Sequence, residues 1–117
     1  MNNIPPTYTN WKSLFCLFVK DDSTDRNSGS PLLMKAHPHV RCMPVFPYYS
    51  LAEFMHNNVH VPTEIITLES LGSTSYPYEY SLSELYLIIF DKASLLKYYE
   101  GKLTTESDWF SLLAKIE

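Results

Sequence analysis

Glycine is scarce in this chain, three residues in 117, and the scarcity excludes a good deal. A phosphate cradle needs several glycines in a fixed pattern so that backbone amides can approach the ligand, and neither GxGxxG nor GxxxxGK[ST] occurs. No GxSxG turn is present to expose a nucleophilic serine. Cysteine is nearly as rare. Cys16 and Cys42 lie in apolar, strand-like runs without CxxC spacing, which fits two buried, reduced thiols and leaves a single disulfide open. Long hydrophobic stretches are missing as well. A run such as Leu85–Phe90 is far too short to cross a bilayer, and the N-terminus lacks the basic-then-apolar pattern of a signal peptide. The expected setting is cytoplasmic, without a membrane partner.

Positive charge is thin where it would matter most. Residues 1–58 hold four acids against five bases, whereas residues 59–117 hold nine acids against four bases, so the overall charge of −4 belongs to the C-terminal half. Phosphate neutralisation by Lys and Arg supplies most nucleic-acid affinity, so a nucleic-acid partner is not expected. The same imbalance suits a basic protein partner, because complementary fields speed encounter and discriminate against wrong partners. Ordinary solubility charge is the plainer reading of the same numbers.

What the chain does have is apolar and aromatic mass: 45% hydrophobic residues, with 9 Tyr, 6 Phe and 2 Trp. One domain covering residues 1–117 fits this length and can bury a modest core. Residues 1–10 read as an extended lead-in. Trp11–Lys20 reads as a strand, Asp21–Pro31 as a long polar loop, and Leu32–Ala36 and Val40–Phe46 as two more strands. Ser50 and Glu53 have capping-box spacing for a helix whose apolar stripe is Leu51, Phe54 and Met55, ended by Asn57-Asn58. Glu64–Leu68 is strand-like, with an exit that could be a helical turn, and Glu84–Phe90 is the best candidate for a central strand. Asp91 caps a helix that Gly101 terminates, and Thr105 with Asp108 opens a last helix through about Ile116. The apolar positions Trp109, Leu112, Leu113 and Ile116 support that helix by their spacing. The expected fold is α/β of the α+β type: a mixed, mostly antiparallel sheet of about five strands, with about three helices packed on one face.

Four histidines are the only side chains that invite a catalytic or metal reading. His37-x-His39, with Cys42 nearby, and His56-x3-His60 could each supply a pair of ligands. Asn57-Asn58 and the β-branched Val59 and Val61 break the helix that would align the second pair, and Pro38 places the first pair in a turn. Loop and cap roles are therefore expected, with no metal and no cofactor. His39 and His56 are the only candidates for acid–base work, and no enzyme is expected.

The tyrosines point elsewhere. A buried phenol must find a hydrogen-bond partner, so a small core cannot absorb nine of them. Tyr76, Tyr78, Glu79, Tyr80 and Glu84 cluster in one segment, and Tyr98 and Tyr99 precede Glu100. Aromatics among acids make poor base-stacking platforms, because stacking needs a basic groove beside it. They make good anchors for a protein, since Tyr brings large contact area at small rotamer cost. For Tyr78 and Tyr80 the alternative is that they begin the following strand.

In the middle of the chain, Pro44-Val45-Phe46, the helix with Ala52 and Phe54, and Ile65-Ile66-Thr67-Leu68 resemble the strand-helix-strand arrangement of SseB-like domains. The profile as a whole is similar to bacterial toxin-immunity proteins, including those of contact-dependent growth inhibition. That resemblance implies a small cytoplasmic protein that neutralises one cognate toxin, often a basic nuclease, by covering its active site or a neighbouring surface. An adaptor or regulatory protein-interaction module of a secretion or phage-related system is the alternative function class.

Overall fold

The computed structural model describes residues 7–20, 29–36, 40–72 and 86–116. In chain order these form β1 (Thr7–Tyr8), a 3-10 turn (Trp11–Ser13), β2 (Phe15–Lys20), β3 (Gly29–Pro31), β4 (Met34–Ala36), β5 (Val40–Phe46) and α1 (Tyr49–His56). There follow β6 (Thr63–Thr67), α2 (Leu68–Gly72), β7 (Tyr86–Ile89), α3 (Lys92–Tyr99), α4 (Glu106–Phe110) and β8 (Leu113–Ile116). The fold is a single α+β domain built on one mixed, mostly antiparallel sheet. Its longer strands run in the order β8-β7-β5-β2-β6, with β1 added outside β8. Among the described strand pairs, only β1 with β8 and β5 with β7 are parallel.

The short strands β3 and β4 fill a wedge. β2 and β5 pair directly only at Phe15↔Phe46 and Cys16↔Val45. Beyond that point they diverge, and β3 pairs with the far half of β2 while β4 pairs with the far half of β5. The Leu32 amide donates to the Leu17 carbonyl at 2.8 Å where the wedge opens.

Alternation along the strands builds a core on each face. On one face Leu17, Cys42, Phe46 and Ile88 pack with Ala52 and Met55 of α1, Leu95 of α3 and Trp109 of α4. On the other, Cys16, Phe18, Met43, Val45 and Leu87 meet Leu68 and Leu71 of α2. The three helices expected from the sequence, α1, α3 and α4, share one face, and α2, where the sequence allows only a helical turn, covers the opposite one. The two cysteines fall in different cores, so the disulfide left open by the sequence does not form, and both remain buried thiols. Burial pushes the Cys16 thiol up to about 12, which keeps it protonated and unreactive. The Cys42 thiol donates to the Met34 carbonyl at 3.4 Å, tying β5 to the wedge.

Several local readings also change: Gly29–Pro31, expected in the polar loop, is strand β3, and Trp11–Ser13, expected in the first strand, forms the 3-10 turn before it. The helix expected through Ile116 stops at Phe110, with Ser111 as C-cap, and Leu113–Ile116 is strand β8. β8 pairs with β7 on one side and β1 on the other. Those ladders satisfy its backbone groups in a way that continuing a short helix could not, so tertiary pairing overrides the local spacing. At α1 the Ser50–Glu53 capping box does not form. The helix starts at Tyr49 behind Tyr48, without a side-chain cap. Its start is set by where β5 ends and by the need to bury Ala52 and Met55.

The other caps form as the sequence implies. Asp91 accepts from the Ser94 amide at 2.8 Å while the Asp91 amide donates to Ser94 Oγ at 3.0 Å. Gly101 adopts φ +71, the left-handed conformation that suits the residue after a helix. Thr105 and Asp108 repeat the reciprocal box at α4. Hydrogen bonds from the Ser94 amide and then the Ser94 hydroxyl hold the Asp91 carboxyl below its ordinary value, and Thr105 does the same for Asp108. A depressed folded pKa contributes stability that is present above the unfolded value and lost as pH falls through the folded one. Asp91→Ala is expected to cost about 1 kcal/mol at neutral pH, and less once acid has protonated the wild-type carboxylate. Urea unfolding at neutral pH and in acid, where the wild-type carboxylate is protonated, reads the difference directly.

Candidate protein-binding surface

α1 and α3 leave the sheet at the same edge, because each follows one of the parallel neighbours β5 and β7. Their far ends come together through a T-shaped contact between Phe54 and Tyr99, ring centroids 5.3 Å apart. Both rings remain open to solvent, Phe54 at 42% and Tyr99 at 39% exposure. Tyr98 turns the other way. It is half-buried and packs on Phe90 at 5.6 Å, Trp109 at 6.1 Å and Tyr99 at 5.1 Å, so it anchors the exposed ring to the core.

Beside this pair lies a groove of about 330 Å³. Tyr98 and Tyr99 form one wall, and Met55, Val59 and Val61 form the end contributed by α1 and the turn after it. Leu32, Leu33, Met34 and Pro44 close it from the wedge and β5. The lining is mainly apolar, with Asn58 and His60 as its polar groups. Val61 at the mouth and Leu96, one turn before Tyr99 on α3, are also exposed. Burial, with a smaller contribution from Tyr98, raises the Tyr99 phenol above its ordinary value. Tyr99 therefore stays neutral, an apolar ring with a hydroxyl that can donate or accept. Exposed Glu53 precedes Phe54, and exposed Glu100 follows Tyr99 and lies 3.5 Å from Lys102. An aromatic centre with a charged rim is the anatomy of a protein-binding patch.

Of the residues singled out from sequence, Tyr98 and Tyr99 meet at this groove. Tyr76, Tyr78, Glu79, Tyr80 and Glu84 lie outside the described residues, as do His37 and His39. Phe54, expected in the buried stripe of α1, is instead exposed at the surface. The buried pair is Ala52 and Met55, and Phe54 falls on a different side of the helix; the i, i+3 spacing of Ala52 and Met55 carried that signal.

A second, polar cleft of about 490 Å³ lies between α1 and β6, lined by Lys20, Tyr49, Glu53, His56, Thr63 and Glu64, among others. His56 is the last residue of α1, and its Nδ1 lies 2.6 Å from Thr63 Oγ1, joining the helix end to the start of β6. His60 lies beyond the helix and lines the apolar groove. Among the described residues, no group of three or more His, Cys, Asp or Glu is placed to hold a metal ion. No described helix is long and apolar enough to cross a membrane. No family model, curated protein or solved structure matches the chain.

Proposed function

We propose that this protein is a non-catalytic binding domain of the immunity type, which neutralises a cognate bacterial toxin by seating a basic toxin domain on the Phe54–Tyr99 surface. The observation that carries the reading is the exposed aromatic pair, fixed from beneath by Tyr98 and set beside an apolar groove. Rings held in place before binding lose little freedom on association, which is what makes tyrosine an efficient anchor. The acidic C-terminal half, nine acids against four bases, supports a basic partner and would act mainly on encounter rate and selectivity. Inhibition needs no chemistry of its own in this reading. Covering the toxin's active site or a neighbouring surface is enough, and the setting is the cytoplasm, where the toxin would act.

Co-expression of the protein with the products of adjacent genes tests this. One of them is expected to be toxic alone, tolerated in the presence of the protein, and recovered with it as a complex. Absence of protection against every adjacent product would overturn the reading.

A further inference from the structure

The described sheet ends on one side at β6, whose only strand partner among the described residues is β2. The ladder fixes which backbone groups of β6 point outward. The Lys20 amide donates to the Pro62 carbonyl at 3.1 Å, and the Leu68 amide donates to the Leu14 carbonyl at 2.9 Å. In an antiparallel pair, bonded and non-bonded positions alternate, so Pro62, Glu64, Ile66 and Leu68 face β2. The amides of Thr63, Ile65 and Thr67 therefore point away from the sheet.

Natural edges are commonly blunted by lysine, proline or a bulge. Between Thr63 and Thr67 this one has none of these. Its single charge, Glu64, lies 3.9 Å from Lys20 of the neighbouring strand. The segment Thr-Glu-Ile-Ile-Thr can also pair with a second copy of itself without opposing like charges. Outward positions must pair with outward positions, and a two-fold axis at Ile65 sets Thr63 opposite Thr67 of a second copy and Glu64 opposite its Ile66. A register centred on Glu64 would instead oppose two carboxylates and is disfavoured. The axis at Ile65 also engages all three outward residues.

We propose that β6 is a self-association edge through which two copies of this chain join antiparallel about Ile65, continuing one sheet across both. The axis stands perpendicular to the sheet, so the two α1 helices lie on the same side of the joined sheet. The polar cleft between α1 and β6, with the half-exposed ring of Tyr49, then opens toward the seam. The contact is short, and contacts of this size form weak, concentration-dependent dimers. It uses a different surface from the Phe54–Tyr99 patch and does not depend on the function proposed for that patch.

Sedimentation velocity across a concentration series, paired with amide exchange, tests the proposal. Dimer is expected to accumulate with concentration, with protection rising at the Thr63, Ile65 and Thr67 amides. Ile65→Pro removes an outward amide that the monomer's own ladder does not use, and is expected to abolish the dimer. Should that variant not fold, Ile65→Cys gives an independent readout. Paired residues of this kind sit about 5.5 Å apart, within the roughly 4.4–6.8 Å a disulfide spans, so oxidation should yield a covalent dimer that Ile66→Cys does not. Cys16 and Cys42 are buried and do not compete. A monomer at every concentration, or a dimer whose protection maps elsewhere, would overturn the proposal; the first would leave the edge to a strand from a different protein.

Discussion

Phe90→Ala is expected to lower the stability of the domain by about 3–5 kcal/mol, a large share of the roughly 5–15 kcal/mol typical of a domain. Phe90 is fully buried and follows the last residue of β7. Its amide donates to the Val45 carbonyl at 3.0 Å, continuing the parallel β5–β7 ladder by one bond. Its ring stacks on Phe46 at 6.0 Å and meets Tyr98 at 5.6 Å. Truncation would leave a void between the sheet and α3, where the packing of a whole ring is lost along with its burial. Phe90→Leu keeps most of the volume and is expected to cost much less. Denaturant unfolding of both variants, read as a shift in midpoint at constant slope, checks the difference. Equal losses in the two would show that shape rather than volume sets the cost. The consequence reaches the surface, because Phe90 is one of the rings that hold Tyr98, and Tyr98 in turn braces Tyr99.

Those elements also show what could be read from residue order alone. Val40–Phe46 and the centre of Glu84–Phe90 declare themselves as strands because they are short, apolar and bounded by turn residues. Pro44, which lacks a backbone donor, argues for an edge position of the first, yet β5 lies inside the sheet, between β7 and β2. Asp91, Gly101 and the Thr105–Asp108 pair are local signals, and each does locally what its chemistry dictates. The failures share a cause. β8 carries helical spacing, but its conformation is decided by β7 and β1, which are distant in sequence. The wedge exists only because β2 and β5 diverge after two paired residues, and no local pattern records that divergence. The groove inherits the same difficulty. Tyr98 and Tyr99 stand out as adjacent aromatics next to an acid, whereas Leu32, Leu33, Met34 and Pro44 become walls only once the wedge is in place.

Replacing Phe54 and Tyr99 together by alanine is expected to weaken the proposed toxin complex by about 2–4 kcal/mol, roughly 30- to 1,000-fold in Kd. Both rings are only about two-fifths exposed, so the free protein loses the buried part of each ring as well as their mutual edge-to-face contact, worth about 0.5–1.5 kcal/mol. The variant is expected to lose some stability yet stay folded, so that affinity can still be read apart from it. Tyr98→Ala offers no such separation, because Tyr98 packs against Phe90 and Trp109 and its removal damages the core. Charge reversal at Glu53 and Glu100 provides a third pattern. Rim charges act chiefly on association, so Glu53→Lys with Glu100→Lys should slow binding and reduce its salt dependence while leaving dissociation nearly unchanged. Calorimetric affinities and surface-binding kinetics, measured beside unfolding curves, distinguish the three. An unchanged Kd in the Phe54→Ala, Tyr99→Ala variant, combined with a large loss in Tyr78→Ala with Glu79→Lys, would move the interface to the other tyrosine cluster. It would leave the immunity reading standing, because that reading requires a toxin-binding face without fixing which aromatics supply it.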